Sequence, residues 1–327
     1  MEKKIIVVPS HLIFDQTLNF INTFKNLREE REYVFDFKNL NRIDPFSLLC
    51  LSSEMAIFKK NNTNSKFSAK NFEHRTYEAH MGFFKSFGLN FGKTPGEANN
   101  NDNYIPITLY SVQEILEESR ELMIPPGEFL TNKAEEISKV LTRNSNNELK
   151  EVLTYSIREI FRNIVEHSHT DTFGFCAQYL PSKNKVVFAV LDRGIGIKKS
   201  LTDNPKLNLN SDKEAISKSL EPGVSGKIYA GQKRKPKGEW ANSGYGLYMT
   251  SNICKKGGLF FIASNTSGLL LGKDSSKEFE FNLTGTGLSL TINTNSIDKL
   301  NDMLKELRDI VPRKVKIKAS KSSMNKS

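Results

Sequence analysis

Apolar and polar residues recur along this chain with two periods, and these periods predict a succession of strands and helices. Early in the chain, short β-branched or aromatic runs predict strands, and apolar residues at helical spacing predict helices. The predicted strands are residues 5–8, 33–37 and 66–70, and the predicted helices are residues 18–27, 46–58 and a segment that ends at Phe87. Strands that alternate with helices predict a compact α/β unit.

The second half of the chain carries the same two periods. Apolar residues at helical spacing surround Glu159 and Asn163, so one face of this helix should pack on a core. Residues 185–191 form a β-branched, apolar run that predicts a buried strand, and residues 288–292 alternate as strand residues do. A short helix is predicted after Gly246. The predicted fold class is therefore α/β (α+β).

Glu159 and Asn163 stand one helical turn apart, so their side chains can converge on one point in space. Asn163 can offer a neutral oxygen to Mg²⁺, which takes few protein ligands and keeps several waters. Glu159 could accept a proton from an attacking water or hydroxyl group. The helix alone leaves open the alternative that both side chains face solvent.

Asp192 follows the predicted buried strand, and Gly194 and Gly196 follow Asp192. A carboxylate at a strand end can accept a hydrogen bond from an exocyclic amine, which distinguishes adenine from a base without that donor. The two glycines allow the backbone to turn sharply and to approach a flat ring. An ordinary Asp-Gly turn is the alternative interpretation.

Gly244 and Gly246 precede Leu247 at the start of the predicted short helix. Backbone N–H groups at a helix start attract phosphate, and glycines leave room for its approach. A Gly-rich loop before an ordinary capped helix explains the same residues equally well. Taken together, the three stretches predict a pocket for ATP and magnesium.

In this order, the three stretches resemble the GHKL superfamily of ATPases, which includes gyrase-type ATPases, histidine kinases and anti-sigma-factor serine kinases. The resemblance covers half of the chain and implies a Bergerat-type sandwich, with helices layered on one mixed sheet. It implies ATP and Mg²⁺ as cofactors, with Asn163 as the magnesium ligand, Glu159 as the general base and Asp192 as the residue that reads adenine. The other residues that the resemblance assigns to nucleotide binding are Gly194, Gly196, Gly244, Gly246, Leu247 and Thr286.

The branch of the superfamily is harder to assign. A histidine kinase needs a long helical hairpin that carries a phosphoacceptor histidine. The segment after His74 soon meets Gly82 and Gly88, which disfavour helix. We therefore expect no such hairpin at this position.

The beginning of the chain is similar, more weakly, to the STAS fold of anti-sigma-factor antagonists. In that family a loop before a helix carries a serine that a partner kinase phosphorylates. Here the sequence is Asp44-Pro45-Phe46-Ser47, so Phe46 stands at the phosphoserine position and Ser47 comes one residue late. We expect a docking or regulatory module that is not phosphorylated in cis. Another kind of α/β accessory domain is the alternative.

Composition shifts suggest the domain boundaries. We predict a STAS-like unit at 1–91, a Gly/Pro/Asn-rich linker at 92–103, the ATPase domain at 104–312 and a disordered basic tail at 313–327. A long lid segment lies between Gly196 and Gly244. Its basic cluster Lys233–Lys237 and the only tryptophan, Trp240, fit either counter-charge for phosphate or a solvated loop.

Charge and cysteine content bound the partners and the compartment. The chain has 327 residues and a net charge of +10, of which the tail supplies six, so we do not expect nucleic acid as the main partner. Three scattered cysteines without metal-ligand spacing suggest reduced thiols in a cytoplasmic protein. No apolar run reaches the length of a membrane span.

Two functions of different classes follow from the sequence. The first is an enzyme, either an ATPase or an anti-sigma-type protein serine kinase, in which Glu159 activates water or a protein hydroxyl group. The second is an ATP-gated switch with slow or no turnover that changes affinity for a protein partner. A nucleic-acid-associated module is a third and weaker hypothesis. The sequence does not identify the acceptor or partner protein, and a homodimer stays open.

Overall fold

A computed structural model of the chain contains both helices and strands, which confirms the predicted mixed class. The residues it describes are 3–28, 30–98, 103–143, 146–226 and 244–296. The basic cluster Lys233–Lys237, Trp240 and the predicted tail at 313–327 lie outside these ranges. Within them, no helix combines the length and the apolarity that a membrane crossing requires.

The first unit, between residues 3 and 98, is built on short parallel strands. Its strands are Lys3–Val7 (β1), His11–Leu12 (β2), Glu32–Asp36 (β3), Arg42–Ile43 (β4) and Lys66–Lys70 (β5), and its helices are Phe14–Lys25 (α1), Pro45–Asn61 (α2), Thr76–His80 (α3) and Phe83–Ser86 (α4). A parallel sheet has the order β1-β3-β5, and β2 pairs in parallel with β4. Parallel neighbours need crossover connections, which α1 and α2 supply.

Local sequence explains the two long helices of the first unit. The apolar residues Leu18, Ile21 and Phe24 recur along α1 at helical spacing, and all three are buried. At the start of α2, the Asp44 carboxylate accepts a hydrogen bond of 2.9 Å from the Ser47 N–H. The following proline lies in the first turn, where a missing N–H has no cost.

The predicted strands at 33–37 and 66–70 are confirmed, whereas the single helix predicted to end at Phe87 is wrong. Gly82 adopts a left-handed φ of 86°, which ends α3 and starts α4 in a new direction.

The segment predicted as a linker is packed where it is described. The Lys93 N–H donates to the Ala79 carbonyl at 2.9 Å, and the Gly96 N–H donates to the Ile107 carbonyl at 2.8 Å. Ala98 is buried. Residues 91–98 therefore bind both to the first unit and to the strand that follows.

The second unit, between residues 103 and 296, contains one large sheet. Its strands are Tyr104–Ser111 (β6), Thr172–Leu180 (β7), Lys185–Asp192 (β8), Gly258–Leu271 (β9) and Ser276–Asn293 (β10), and its α-helices are Val112–Glu121 (α5), Pro126–Thr142 (α6), Asn147–Asn163 (α7), Gly196–Leu201 (α8), Asp212–Ser219 (α9) and Gly246–Gly257 (α10). A π-helical turn, Ile164–Ser168, continues α7, and 3₁₀ turns span Pro181–Lys183 and Thr294–Ser296.

The strand order is β6-β7-β8-β10-β9, and every pairing is antiparallel. The mixed sheet implied by the family resemblance is therefore wrong for the described residues. For two of the four pairings the reason lies in the connections, because Pro181–Lys183 joins β7 to β8 and a short turn at 272–275 joins β9 to β10. Such short links can only join antiparallel neighbours.

Both faces of this sheet are covered. Side chains alternate along β8, so Phe188 and Val190 point to one face, here called the front, and Ala189 and Leu191 point to the back. Helices α6, α7 and α10 pack in the front core. The first unit packs on the back, where the ring centroid of Phe46 lies 4.8 Å from that of Phe261.

Candidate functional site

Seven of the nine residues predicted to bind or act on a nucleotide line one cleft on the front face. This front cleft lies where the end of α7, the end of β8 and the start of α10 meet. The predicted residues that line it are Asn163, Asp192, Gly196, Gly244, Gly246, Leu247 and Thr286. The cleft has a volume of about 110 Å³.

Asn163 is the last residue of α7 before the π-helical turn. Its neighbour Ile160 is buried in the front core, which fixes the helix against the sheet. Asn163, His167 and Ser168 all line the front cleft, so the helix end and the π-helical turn form one wall. Single π turns of this kind are frequent at functional sites.

Asp192 ends β8 in register with Thr286 of β10, and both residues line the front cleft. Asp192 is 3% exposed, and its carboxylate accepts a hydrogen bond of 2.8 Å from the Gly194 N–H. Burial raises the pKa of Asp192 to about 6, because loss of water penalises the charged form more than the backbone N–H groups of Gly194 and Thr286 stabilise it. A dry carboxyl group with a raised pKa in a cleft is typical of functional sites.

Gly194 does not line the front cleft but lies where two of its walls meet. A Cβ at this position would lie 2.0 Å from the Ser168 carbonyl oxygen. The same carbonyl accepts a hydrogen bond of 2.8 Å from the Ile195 N–H. Glycine is therefore required where the turn after β8 contacts the π-helical turn.

The start of α10 forms the opposite wall. Gly246 and Leu247 are its first residues, and no side chain caps this end. The first N–H groups of a helix have no partner within the helix, and the helix dipole adds partial positive charge there. This end of the front cleft suits an anion. No Lys or Arg of the described residues lines the cleft.

Glu159 does not line the front cleft and lies behind the start of α10. A Cβ on Gly246 would lie 2.6 Å from Glu159 Oε2. Glu159 Oε1 accepts a hydrogen bond of 2.8 Å from Arg158 Nη2, and Arg162 Nη1 lies 3.8 Å from the same oxygen. In this arrangement one oxygen is paired with arginine and the other faces a glycine.

Besides Ser168, sequence reasoning missed three further serines of the front cleft: Ser200 on α8, Ser219 at the end of α9 and Ser225. They belong to the segment interpreted as a lid between Gly196 and Gly244. Serine is common in polar segments, so no local pattern distinguishes them. Only the tertiary structure of this segment brings these hydroxyl groups to the cleft.

The metal-binding capacity of the front cleft rests on few atoms. Among the described residues, no group of three or more His, Cys, Asp or Glu side chains could hold a metal ion. Asn163 supplies one amide group at the wall. Mg²⁺ often binds through one or two protein groups together with phosphate oxygens and water, so this donor set fits magnesium that arrives with a phosphate ligand.

The loop at Asp44–Ser47 of the first unit, which was predicted to be STAS-like, is buried against the back face. Phe46 and Ser47 have no exposed surface. The Ser47 hydroxyl donates to Asp44 Oδ2 at 3.0 Å and accepts a hydrogen bond of 2.7 Å from Thr17. In this arrangement Ser47 is closed to a kinase.

No protein-family model matches this chain, and a search of curated proteins gives no match.

Proposed function

We propose that this protein is a regulatory protein that binds Mg²⁺-ATP in the front cleft, as proteins of the GHKL superfamily do. One observation carries the proposal. Three sequence stretches that are separated along the chain, and that were assigned to one nucleotide from sequence alone, contribute to the walls of a single cleft. Asn163 comes from α7, Asp192 from β8 and Gly246 from α10.

Each wall has a distinct task in this proposal. Asp192 and Thr286 lie together at the strand end, where the buried carboxylate would accept a hydrogen bond from the adenine amine. The cleft volume of about 110 Å³ suits a flat ring rather than a whole nucleotide, so the sugar and phosphates would extend beyond it. The uncapped start of α10 would face the phosphates. Asn163 would hold the magnesium ion, which neutralises phosphate charge when bound.

The position of Glu159 favours the second candidate function, a switch with slow or no turnover. Glu159 is 6% exposed, and its carboxylate is paired with Arg158 behind the start of α10, so it does not line the cleft itself. To act as a general base, the carboxylate would have to leave this pairing and reach the water or hydroxyl group that it deprotonates. Nucleotide binding needs no such movement.

The first unit is the regulatory part of the proposal. Its loop at Asp44–Ser47, which in the STAS resemblance would face a partner kinase, packs on the back of the sheet that carries the front cleft. Because the two units pack together within one chain, a conformational change in one unit would alter the conformational equilibrium of the other.

Calorimetric titration of the full chain with ATP and magnesium tests nucleotide binding. We expect measurable binding, and we expect Asp192→Asn to weaken it by about ten- to hundredfold, because a hydrogen bond to a charged group is lost. Asp274→Asn is the matched control, since Asp274 lies exposed in the turn between β9 and β10. Absence of binding by the wild type, or equal losses in the two variants, would refute the proposal.

Steady-state hydrolysis separates the enzyme from the switch. An enzyme that uses Glu159 as its base should lose turnover in Glu159→Gln while it keeps ATP affinity. A switch should bind ATP equally in both forms and turn over slowly in both. Protein substrates should be included, because phosphoryl transfer to an acceptor can be invisible in a hydrolysis assay.

A further inference from the structure

A second cleft lies between the first unit and the back face of the five-stranded sheet. This back cleft has a volume of about 750 Å³. Binding sites for small molecules typically measure about 300–1,000 Å³ and often lie between domains. The back cleft therefore has the size and the position of a ligand site.

The floor of the back cleft is one row of side chains across four strands. These residues are cross-strand partners in register from β7 to β9, and they are Gln178, Val187, Thr291 and Leu259. The adjacent back-face row includes Ala189 and Phe261, and the first unit covers it tightly. The first unit does not cover the row that contains Thr291, because α2 begins at Pro45, beside the cleft.

The walls of the back cleft are largely apolar. Phe14 comes from the first unit, and Leu270 and Phe279 come from β9 and β10. All three side chains are only partly covered, although each packs against the core below. The ring centroids of Phe14 and Phe279 lie 4.7 and 5.8 Å from that of Phe261. An apolar body in this space would cover surface that now faces water.

The back cleft is lined by more positively than negatively charged side chains. Lys277 pairs with Asp15 at 2.9 Å, and Arg75 pairs with Glu78. The remaining acid is Asp44, whose carboxylate is used by Ser47 at the start of α2. The remaining cations are Arg42, Lys183 and Lys185, and they form no ion pair within the described residues. The cleft therefore carries excess positive charge beside an apolar interior.

We propose that the back cleft binds a small organic anion with an apolar body. The apolar part would lie on Phe14 and Phe279, and the charged group would face Arg42 and Lys185. Arg42 belongs to the first unit and Lys185 to the second, so this ligand would contact both. A ligand that binds only the docked arrangement stabilises it by mass action. The site lies on the opposite face from the front cleft and does not depend on nucleotide binding.

The test uses two fluorescent probes that differ in one charge. Anilinonaphthalene sulfonate has an aromatic body and a sulfonate, and N-phenyl-1-naphthylamine has the same rings without the sulfonate. Each is titrated into the full chain and into Arg42→Gln/Lys185→Gln. We expect the double substitution to weaken sulfonate binding roughly tenfold and to leave binding of the neutral probe unchanged, because only the charge contact is lost.

The control is Lys38→Gln/Lys66→Gln, which removes the same charge from exposed positions that line neither cleft. This variant should bind both probes as the wild type does. Equal weakening in the two double variants would mean a general charge effect, and unchanged sulfonate binding in Arg42→Gln/Lys185→Gln would mean that the probe binds elsewhere. Either result overturns the proposal. Thermal melts without probe should be similar for all three proteins, because the substituted side chains form no ion pair with the residues that the structure describes.

Discussion

The ionised Asp192 carboxylate should lower the stability of the folded protein, whereas the proposed binding of the nucleotide needs it. Its pKa is raised from 3.8 to about 6 by burial, so the folded state holds the proton more tightly than the unfolded chain does. Stability should therefore fall as pH rises from about 4 to about 6, and the ionised carboxylate should cost up to about 3 kcal/mol above that range. The cost is tolerated if the ionised group recognises a ligand.

Asp192→Asn should consequently make the free protein more stable at pH 8 and leave its stability unchanged at pH 4, where the wild-type carboxyl is protonated. Urea unfolding at the two pH values measures the difference, which should reach up to about 3 kcal/mol. The same substitution should weaken ATP binding. A variant that is less stable than the wild type at pH 8 would contradict the burial argument.

Gly194 makes a second prediction at the scale of one residue. Gly194→Ala places a Cβ 2.0 Å from the Ser168 carbonyl oxygen, a backbone atom that cannot move aside cheaply. We expect a loss of at least about 2 kcal/mol in the free energy of unfolding. Gly127→Ala is the control, because nothing lies within 4 Å of the added Cβ in α6, and it should be neutral or stabilising by up to about 1 kcal/mol. Similar losses in the two variants would show that the close approach is not the cause.

At the scale of one element, the end of β8 and the residue after it connect the two faces of the sheet. Asp192 points to the front cleft, and the next residue, Arg193, reaches α2 on the back. Arg193 Nη1 donates to Glu54 Oε1 at 2.6 Å, and its Nη2 donates to Ser53 at 2.7 Å. Lys25 Nζ lies 2.6 Å from the other Glu54 oxygen, while its hydrogen bond goes to the Asn282 carbonyl. The Glu54 side chain has no exposed surface.

Arg193→Gln should therefore destabilise the protein by about 3 kcal/mol, because it leaves Glu54 buried with a single cation. Glu54→Gln and the double variant complete a cycle in chemical denaturation, and we expect the two losses not to add. Lys213→Gln is the control, because its ion pair with Glu278 is 2.6 Å long but well exposed, and it should cost no more than about 1 kcal/mol. Additive losses from Arg193 and Glu54 would mean that the contact does not couple the units.

The elements themselves were predictable, whereas their connections across the sheet were not. The strands at 66–70 and 185–191 and the helix that carries Asn163 follow from local periodicity, so the chain nearby contains the needed information. Strand alternation at Asp192 even implies that Arg193 points the other way, a signal that sequence reasoning left unused. Its partner Glu54 is 139 residues away, and no local pattern indicates that distance.

At the scale of the whole molecule, sequence reasoning predicted a set of residues of which most line the candidate site, but not how their side chains are arranged. The front cleft collects most of that set because the end of α7, the end of β8 and the start of α10 meet at one place. Glu159 was assigned from its spacing to Asn163, but spacing on a helix does not report that Arg158 engages the carboxylate. The back cleft was invisible in the sequence, because its floor and walls come from two units.

The docking of the first unit predicts that the described chain unfolds as one cooperative body. The back core contains Phe46 and Leu49 from α2 together with Ala189 and Phe261 from the sheet, so neither unit can melt without exposing the apolar surface of the other. Scanning calorimetry should give one transition, with equal calorimetric and van't Hoff enthalpies.

Phe46→Ala should lower the midpoint of this transition, by an amount that corresponds to about 3–5 kcal/mol. Leu18→Ala, inside the first unit, should lower the same transition without splitting it, since loss of that core also removes the cover of the sheet. Two transitions in the wild type, or a shift confined to one of them in Leu18→Ala, would mean that the units fold independently. In that case a conformational change in the first unit would not be transmitted through α2 to the front cleft.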